Sequence, residues 1–195
     1  STVAIIGNSV QARFQLPAIV EAFPITRVLA FDIKEQVTEE YIADMSPKVG
    51  LLIEKASSWW DAVCDADIVI NATRTSEPFF EGKWCKPGML LVSIGSMPEL
   101  KPDVLGRTSK IVVDEWEGCK HLGSLRPFFE SGVLTDVYAE IGEIVAGQKP
   151  GRETADEMIL YVPMGMGSED MATAQRVYQN AVRSGFGAKL TLCKY

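Results

Sequence analysis

The order of apolar runs along the chain predicts an α/β fold: a doubly wound, mostly parallel sheet with helices on both faces. Three observations carry that prediction. Short apolar runs alternate with stretches of helical spacing through most of the sequence, the pattern of strands joined by crossover helices. The first run, VAII at 3–6, ends in Gly7 and opens at once into a helix-like segment. The run DIVINAT at 67–73 is the cleanest strand in the sequence.

After the strand at 3–6, residues 10–22 place Val10, Phe14, Ile19 and Ala22 near helical spacing, with Pro17 expected to kink the helix. VLAF at 28–31 is a second strand, stopped by Asp32, and 34–45 is polar with helical spacing. Residues 49–53 form a third apolar run, followed by a short helix at 57–64 and the strand at 67–73. Runs at 89–94 and 110–114 are further strands, separated by a stretch punctuated with Pro and Gly. Residues 115–122, 125–131 and 136–146 turn helical, and 147–152 is a turn-rich break. A strand at 158–162 leads through MGMG into a helix at 168–184, which Gly185 and Gly187 stop before a short strand at 189–193. The expected division is a domain over 1–165 and a C-terminal helix and strand over 166–195.

Composition narrows the function classes. The 195 residues are 47% apolar and 23% charged, ordinary for a folded protein with a sizeable core. A net charge of −7 with no basic stripe argues against nucleic acid as a partner. No apolar run is long enough to span a bilayer, and Asn8, Ser9 and Gln11 interrupt any secretion signal. The cysteines at 64, 85, 119 and 193 form no CxxC pair and read as reduced thiols of a cytoplasmic protein. Cys119 and His121 make the one Cys/His cluster, too few ligands for zinc, so no metal is expected. The chain begins at Ser1 without a methionine, which is read as a trimmed start or as a fragment of something longer.

The turn after the first strand carries the strongest chemical signal. A dinucleotide-binding turn needs a glycine to turn tightly, a small residue to let backbone approach a pyrophosphate, and another to pack helix on strand. Gly7, Ser9 and Ala12 occupy those positions, with serine in place of the usual middle glycine. A helix beginning at Val10 presents free N–H groups and its positive dipole end to an anion. Asp32 ends the second strand 25 residues after Gly7, near the customary ~20. A carboxylate there accepts from both ribose hydroxyls and repels a 2′-phosphate, favouring NAD over NADP.

The segments VAIIGNSVQARFQLPAI, DAVCDADIVINATRTSEPFF, WCKPGMLLVSIGS, ELKPDVL, IVVDE, GEIVAGQKPGRETADEMILY and GMGSEDMATAQRVYQNA extend these signals across residues 3–192. On them the chain resembles the NAD-binding half of the ornithine cyclodeaminase/mu-crystallin family. The resemblance implies a Rossmann domain that holds NAD or NADP in a homodimer. It implies an oxidoreductase acting on a small amino acid or imine. Gly7, Ser9, Val10 and Gln11 would then hold the pyrophosphate, and Asp32 and Ile33 the adenosine ribose. Ala72, Thr73 and Arg74 would flank the cofactor, and Ser93, Ile94, Gly95, Met164 and Gly165 would lie near the nicotinamide. Asp170 is a candidate catalytic residue, although its place in the first turn of a helix also fits simple dipole stabilisation.

The sequence departs from the family pattern in three ways. The segment 94–100, IGSMPEL, lacks the acid/base aspartate of true cyclodeaminases, so alanine dehydrogenase, ketimine reductase or opine-type chemistry is expected rather than ornithine cyclisation. Pro163 replaces a usual serine. The family's N-terminal domain, which supplies a substrate-binding arginine, a catalytic lysine and much of the dimer interface, is expected to be missing. Residues 166–195 would pack on that domain, and the isolated chain would bind cofactor with little or no turnover. Two alternatives stand beside this reading: a non-catalytic mu-crystallin-like dinucleotide or small-ligand binding protein, and a subunit completed by a separate chain. Trp59 and Trp60 are read as packing residues rather than an adenine platform, and His121 as solvated rather than a general base.

Overall fold

The computed structural model describes residues 1–190. Its strands are β1 (Thr2–Ile6), β2 (Arg27–Phe31), β3 (Ile53–Lys55), β4 (Ile68–Asn71), β5 (Leu90–Ser93), β6 (Lys110–Val113), β7 (Ala139–Glu140) and β8 (Ile159–Val162). They form one sheet in the order β3-β2-β1-β4-β5-β8-β6-β7, with every pair parallel. The helices of this part of the chain are α1 (Val10–Ala22), α2 (Glu35–Val49), α3 (Trp59–Val63), α4 (Trp116–Cys119), α5 (Arg126–Glu130) and α6 (Ile141–Val145). The chain builds outward from β1 to β3, then returns to start β4 on the other side of β1.

Period-two alternation explains why the central strands can be covered on both faces. Val3 and Ile5 of β1 join Val28, Ala30, Ile68 and Ile70 against Ala12, Leu16, Tyr41 and Met45 of α1 and α2. Ala4 and Ile6 point the other way, joining Val69, Leu91, Leu160 and Val162 against residues of α3, α4 and α5. Ala12 and Leu16, four apart, are the buried residues of α1. The helix continues past Pro17 to Ala22.

Two segments take a different role from the sequence reading. The run at 49–53 is not a strand: α2 extends through Val49, Gly50 closes it in the left-handed region at φ 68°, and β3 begins at Ile53. Val49 and Leu51 pack on the core beneath α1 and α2, so their apolar character serves helix packing and the turn rather than a ladder. The edge strand's position is set instead by register with β2, Val28 opposite Ile53 and Ala30 opposite Lys55. Residues 136–146 are likewise not one helix. Ala139 and Glu140 pair with Val112 and Val113 at the sheet edge before α6 starts. A reciprocal cap between Glu140 and Glu143 holds that helix start in place.

The turn after β1 is anchored by a buried asparagine. Asn8 is fully buried, and its Nδ2 donates to the Ile5 carbonyl at 3.0 Å. Its Oδ1 accepts from the Thr38 hydroxyl on α2 at 2.9 Å. These bonds tie the loop that leaves β1 to the helix that follows β2.

Residues 165–190 form a second compact unit. Its helix α7 (Gly167–Ser184) carries Met171, Tyr178 and Val182 as exposed apolar residues and ends at Gly185, φ 66°. The strand expected at 189–193 is not regular structure at Lys189 and Leu190, and the rest of it lies outside the described residues. Among the described residues no helix is long and apolar enough to cross a membrane.

Thr38→Val, nearly isosteric, leaves Asn8 Oδ1 buried without its donor. The substitution should destabilise the fold by about 1–3 kcal/mol, read from urea unfolding midpoints; an unchanged midpoint would refute the anchoring role.

Candidate functional site

In an open parallel sheet, ligands bind beyond the carboxyl ends of the strands where the winding direction reverses. Here that point lies between β1 and β4. Gly7 follows β1 with φ 83°, and a Cβ there would sit 2.7 Å from the Ala72 carbonyl oxygen beyond β4. The two strand ends are therefore close-packed, and a cavity of about 470 Å³ opens beside them. That volume is within the ~300–1,000 Å³ usual for small-molecule and cofactor sites. Its walls include Gly7, Ser9, Asp32, Ile33, Ala72, Thr73 and Arg74, together with Lys34, Val37, Trp59, Thr75, Ser76 and Phe79.

The floor suits an anion. The leading N–H groups of a helix have no intrahelical acceptor, and α1 has no acidic residue in its first turn. Ser9 is the N-cap, but its side chain makes no capping bond, which leaves the hydroxyl available to a ligand. Val10 and Gln11 belong to this first turn without lining the cavity. A diphosphate fits this donor set.

Asp32 is held by main chain on both oxygens. Oδ2 accepts from Asn8 N–H at 3.0 Å and Oδ1 from Lys34 N–H at 2.9 Å. Each carboxylate oxygen keeps further acceptor capacity. The N-cap of α2 is Lys34, so Asp32 is not spent on capping. Trp59 fulfils its packing role, with ring centroids 4.8 Å from Phe31 and 4.2 Å from Phe79, yet one part of it lines the cavity. Trp60 is exposed.

The residue the sequence reading missed is Glu99. It is fully buried in the segment after β5. Its Oε1 accepts from the Thr73 N–H at 3.1 Å and from the Thr73 hydroxyl, and its Oε2 is 2.8 Å from Ser93 Oγ. Ser93 Oγ is also 2.6 Å from Ser124 Oγ. The Glu99 carbonyl accepts from Phe79 and Phe80 N–H groups, so the residue pins both the Thr73 and Phe79 parts of the wall. A Cβ at Gly95 would lie 2.8 Å from the Glu99 carboxyl, which accounts for glycine there. Burial pushes the Glu99 carboxyl above its ordinary range, opposed by the Thr73 and Ser93 bonds. ELKPDVL contains this glutamate, but nothing in the spacing distinguishes a buried acid from a solvated one. Asn71, fully buried opposite Ser93, keeps its amide without a hydrogen-bond partner among the described residues.

The remaining candidates lie off the cavity walls. Ser93 and Gly95 stand behind Glu99, as described, with Ile94 between them packed on the core beneath α1 and α2. Met164 N–H donates to Asp114 Oδ2 at 2.7 Å. Gly165, φ 95°, and Asp170, in the first turn of α7, belong to the second unit. His121 is exposed, and no group of potential metal ligands is found among the described residues. Cys119 is buried, its thiol pushed up to about 12 by burial and by Asp114. A smaller cavity of about 230 Å³ over β5, β8 and β6 is lined mainly by apolar side chains, together with Lys110 and Tyr161. That ammonium is already held by Glu153, Glu157 and the Gly151 carbonyl.

The ornithine cyclodeaminase/mu-crystallin family model matches residues 1–185. Alanine dehydrogenase of Archaeoglobus fulgidus is 30% identical over 197 residues, covering 97% of this chain and 60% of that protein. The Thermococcus litoralis Delta(1)-pyrroline-2-carboxylate reductase, solved with NADH and L-proline, superposes with a TM-score of 0.93 at 34% identity, over 97% of this chain and 61% of its own. An archaeal alanine dehydrogenase dimer with bound NAD superposes with a TM-score of 0.91 at 31% identity, over 99% of this chain and 61% of its own. The chain thus spans about three fifths of the length of the curated relatives it matches.

Gly7→Ala should destabilise the fold by at least about 1–3 kcal/mol, because it adds both a positive-φ strain and a clash with Ala72; chemical denaturation reads the change. A second expectation concerns Glu99. Its folded pKa lies above the unfolded value, so its contribution to stability is full below the ordinary carboxylate range and is lost as pH rises through the folded value. Glu99→Gln removes that titration, and its stability relative to the parent should climb as pH rises above the ordinary carboxylate range. A pH-independent difference would contradict a carboxyl raised by burial.

Proposed function

Since the chain belongs to the ornithine cyclodeaminase/mu-crystallin family, we propose that it is the NAD-binding part of an oxidoreductase acting at a nitrogen-bearing carbon of a small amino acid or imine. The observation that carries the reading is the crossover cavity, where an acid-free helix start lies beside a main-chain-held carboxylate. On this reading Gly7, Ser9, Val10 and Gln11 hold the pyrophosphate, and Asp32 and Ile33 the adenosine ribose. Ala72, Thr73 and Arg74 form the facing wall. Ser93, Ile94, Gly95, Met164 and Gly165 serve the nicotinamide side, and Asp170 is the candidate catalytic group. The nicotinamide, when bound, supplies hydride exchange; this chain's residues bind and orient it.

Residues 1–165 then act as the cofactor domain, and 166–195 as a segment that packs on a substrate domain. That domain comes from a longer form of the chain or from a partner, in a homodimeric assembly. Alanine dehydrogenase and pyrroline-2-carboxylate reductase activities among the relatives favour amination or imine reduction. The sequence at 94–100 lacks the aspartate that ornithine cyclisation uses. A cytoplasmic setting completes the reading, since the scattered cysteines have the pattern of reduced thiols. The second reading, a carrier without catalysis, is favoured by that missing aspartate and by Pro163. An imine-dependent loss of reduced-nicotinamide absorbance by the chain joined to its substrate domain would decide for the enzyme.

NAD is preferred to NADP because Asp32 accepts from ribose hydroxyls and repels a 2′-phosphate. Calorimetry should detect NAD binding, tighter than NADP. Asp32→Ala should weaken NAD about tenfold, the worth of a hydrogen bond to a charged group, and erase the preference. No heat with NAD from a folded chain would overturn the proposal.

A further inference from the structure

Thr73 lines the cavity, yet both of its donors are turned away from a ligand. Its N–H and its hydroxyl each donate to the same oxygen, Oε1 of the buried Glu99. An amide N–H can only donate, so Oε1 is an acceptor in either protonation state of the carboxyl. When Glu99 carries a proton, that proton belongs on Oε2. There it can be donated to Ser93 Oγ, which passes its own to Ser124 Oγ, and Ser124 to the Met97 carbonyl at 3.2 Å. The chain of hydroxyls absorbs the proton without disturbing Thr73. A hydroxyl has one hydrogen and two lone pairs; with the hydrogen committed, lone pairs alone are left.

We propose that Glu99 is a positioning residue that fixes the hydrogen-bond polarity of Thr73, so that the Thr73 hydroxyl faces the cavity as an acceptor and takes a donor of the dinucleotide, a ribose hydroxyl or an amino group. This rests on the proposed cofactor reading and refines it. A phosphate oxygen offers only lone pairs, so Thr73 is unsuited to it and the diphosphate is left to the start of α1. The cavity is thereby divided by polarity: the Ser9 hydroxyl at the helix start as donor, and acceptors at Asp32 and Thr73. Glu99 secures this arrangement twice over. Its carboxyl sets Thr73, and its carbonyl holds Phe79, whose ring packs on Trp59. Gly95 supplies the space the carboxyl occupies.

The test is calorimetric titration of NADH and, separately, of inorganic pyrophosphate into the parent chain and its variants, with melting followed in parallel. Thr73→Val, nearly isosteric, should weaken NADH about tenfold and leave pyrophosphate unchanged. Thr73→Ser should stay within about twofold of the parent. Glu99→Gln should do the same, because the amide oxygen takes the place of Oε1 and the amide nitrogen donates to Ser93. Glu99→Ala should weaken NADH as Thr73→Val does, and added to Thr73→Val it should cost nothing further. That lack of additivity distinguishes action through Thr73 from a general structural role. Equal NADH affinity in Thr73→Val and the parent overturns the inference even where Glu99→Ala fails to fold. So does an equal loss of pyrophosphate binding. A parent chain that binds no NADH overturns the cofactor reading itself and this inference with it.

Discussion

The close approach of two strand ends governs this structure. A side chain at position 7 would collide with the Ala72 carbonyl, and so the segments leaving β1 and β4 can approach this closely only because that residue is glycine in a positive-φ conformation. The contact fixes where α1 begins and where the segment beyond β4 runs. Those two pieces of backbone are the opposing walls of the larger cavity. The reversal of winding places them side by side, and the missing Cβ lets them close.

Polar side chains inside the fold hold the loops that this contact brings together. Asn8 links the turn after β1 to α2 through Thr38, and its own N–H steadies Asp32. Glu99 does the same work on the facing wall, through Thr73 on one side and Phe79 on the other. Both are buried, and both make hydrogen bonds through their side chains. A buried polar group left unpaired is costly, so such residues resist displacement from one arrangement. The larger cavity therefore rests on loops held by buried polar side chains, in contrast with the smaller cavity over β5 and β8, whose lining is mainly apolar.

Much of the fold is legible from local pattern. The alternation of VAII, VLAF and DIVINAT with helical spacing announces a parallel sheet, since strands buried on both faces must be apolar throughout. Boundaries are less legible where an apolar residue has more than one use. Val49 reads as a strand residue, but it ends α2 and packs on the core beside it, and register with β2 decides where β3 starts. Ala139 and Glu140 read as helix, but the open edge of β6 recruits them into a ladder. In both cases the deciding partner is remote in sequence.

The site divides in the same way. The sequence by itself determined the turn at Gly7, the serine and helix start after it, and Asp32 at the end of the second strand, because each role depends on residue type and short-range spacing. Tertiary structure alone decided that Thr73 would meet Glu99, that Trp59 would pack on Phe79 while lining a cavity, and that Asp32 would be oriented by Asn8. The physical reason is burial. A glutamate has the same chemistry on a surface or in a core, and only the packing of distant segments around it sets its hydrogen-bond partners and its proton affinity.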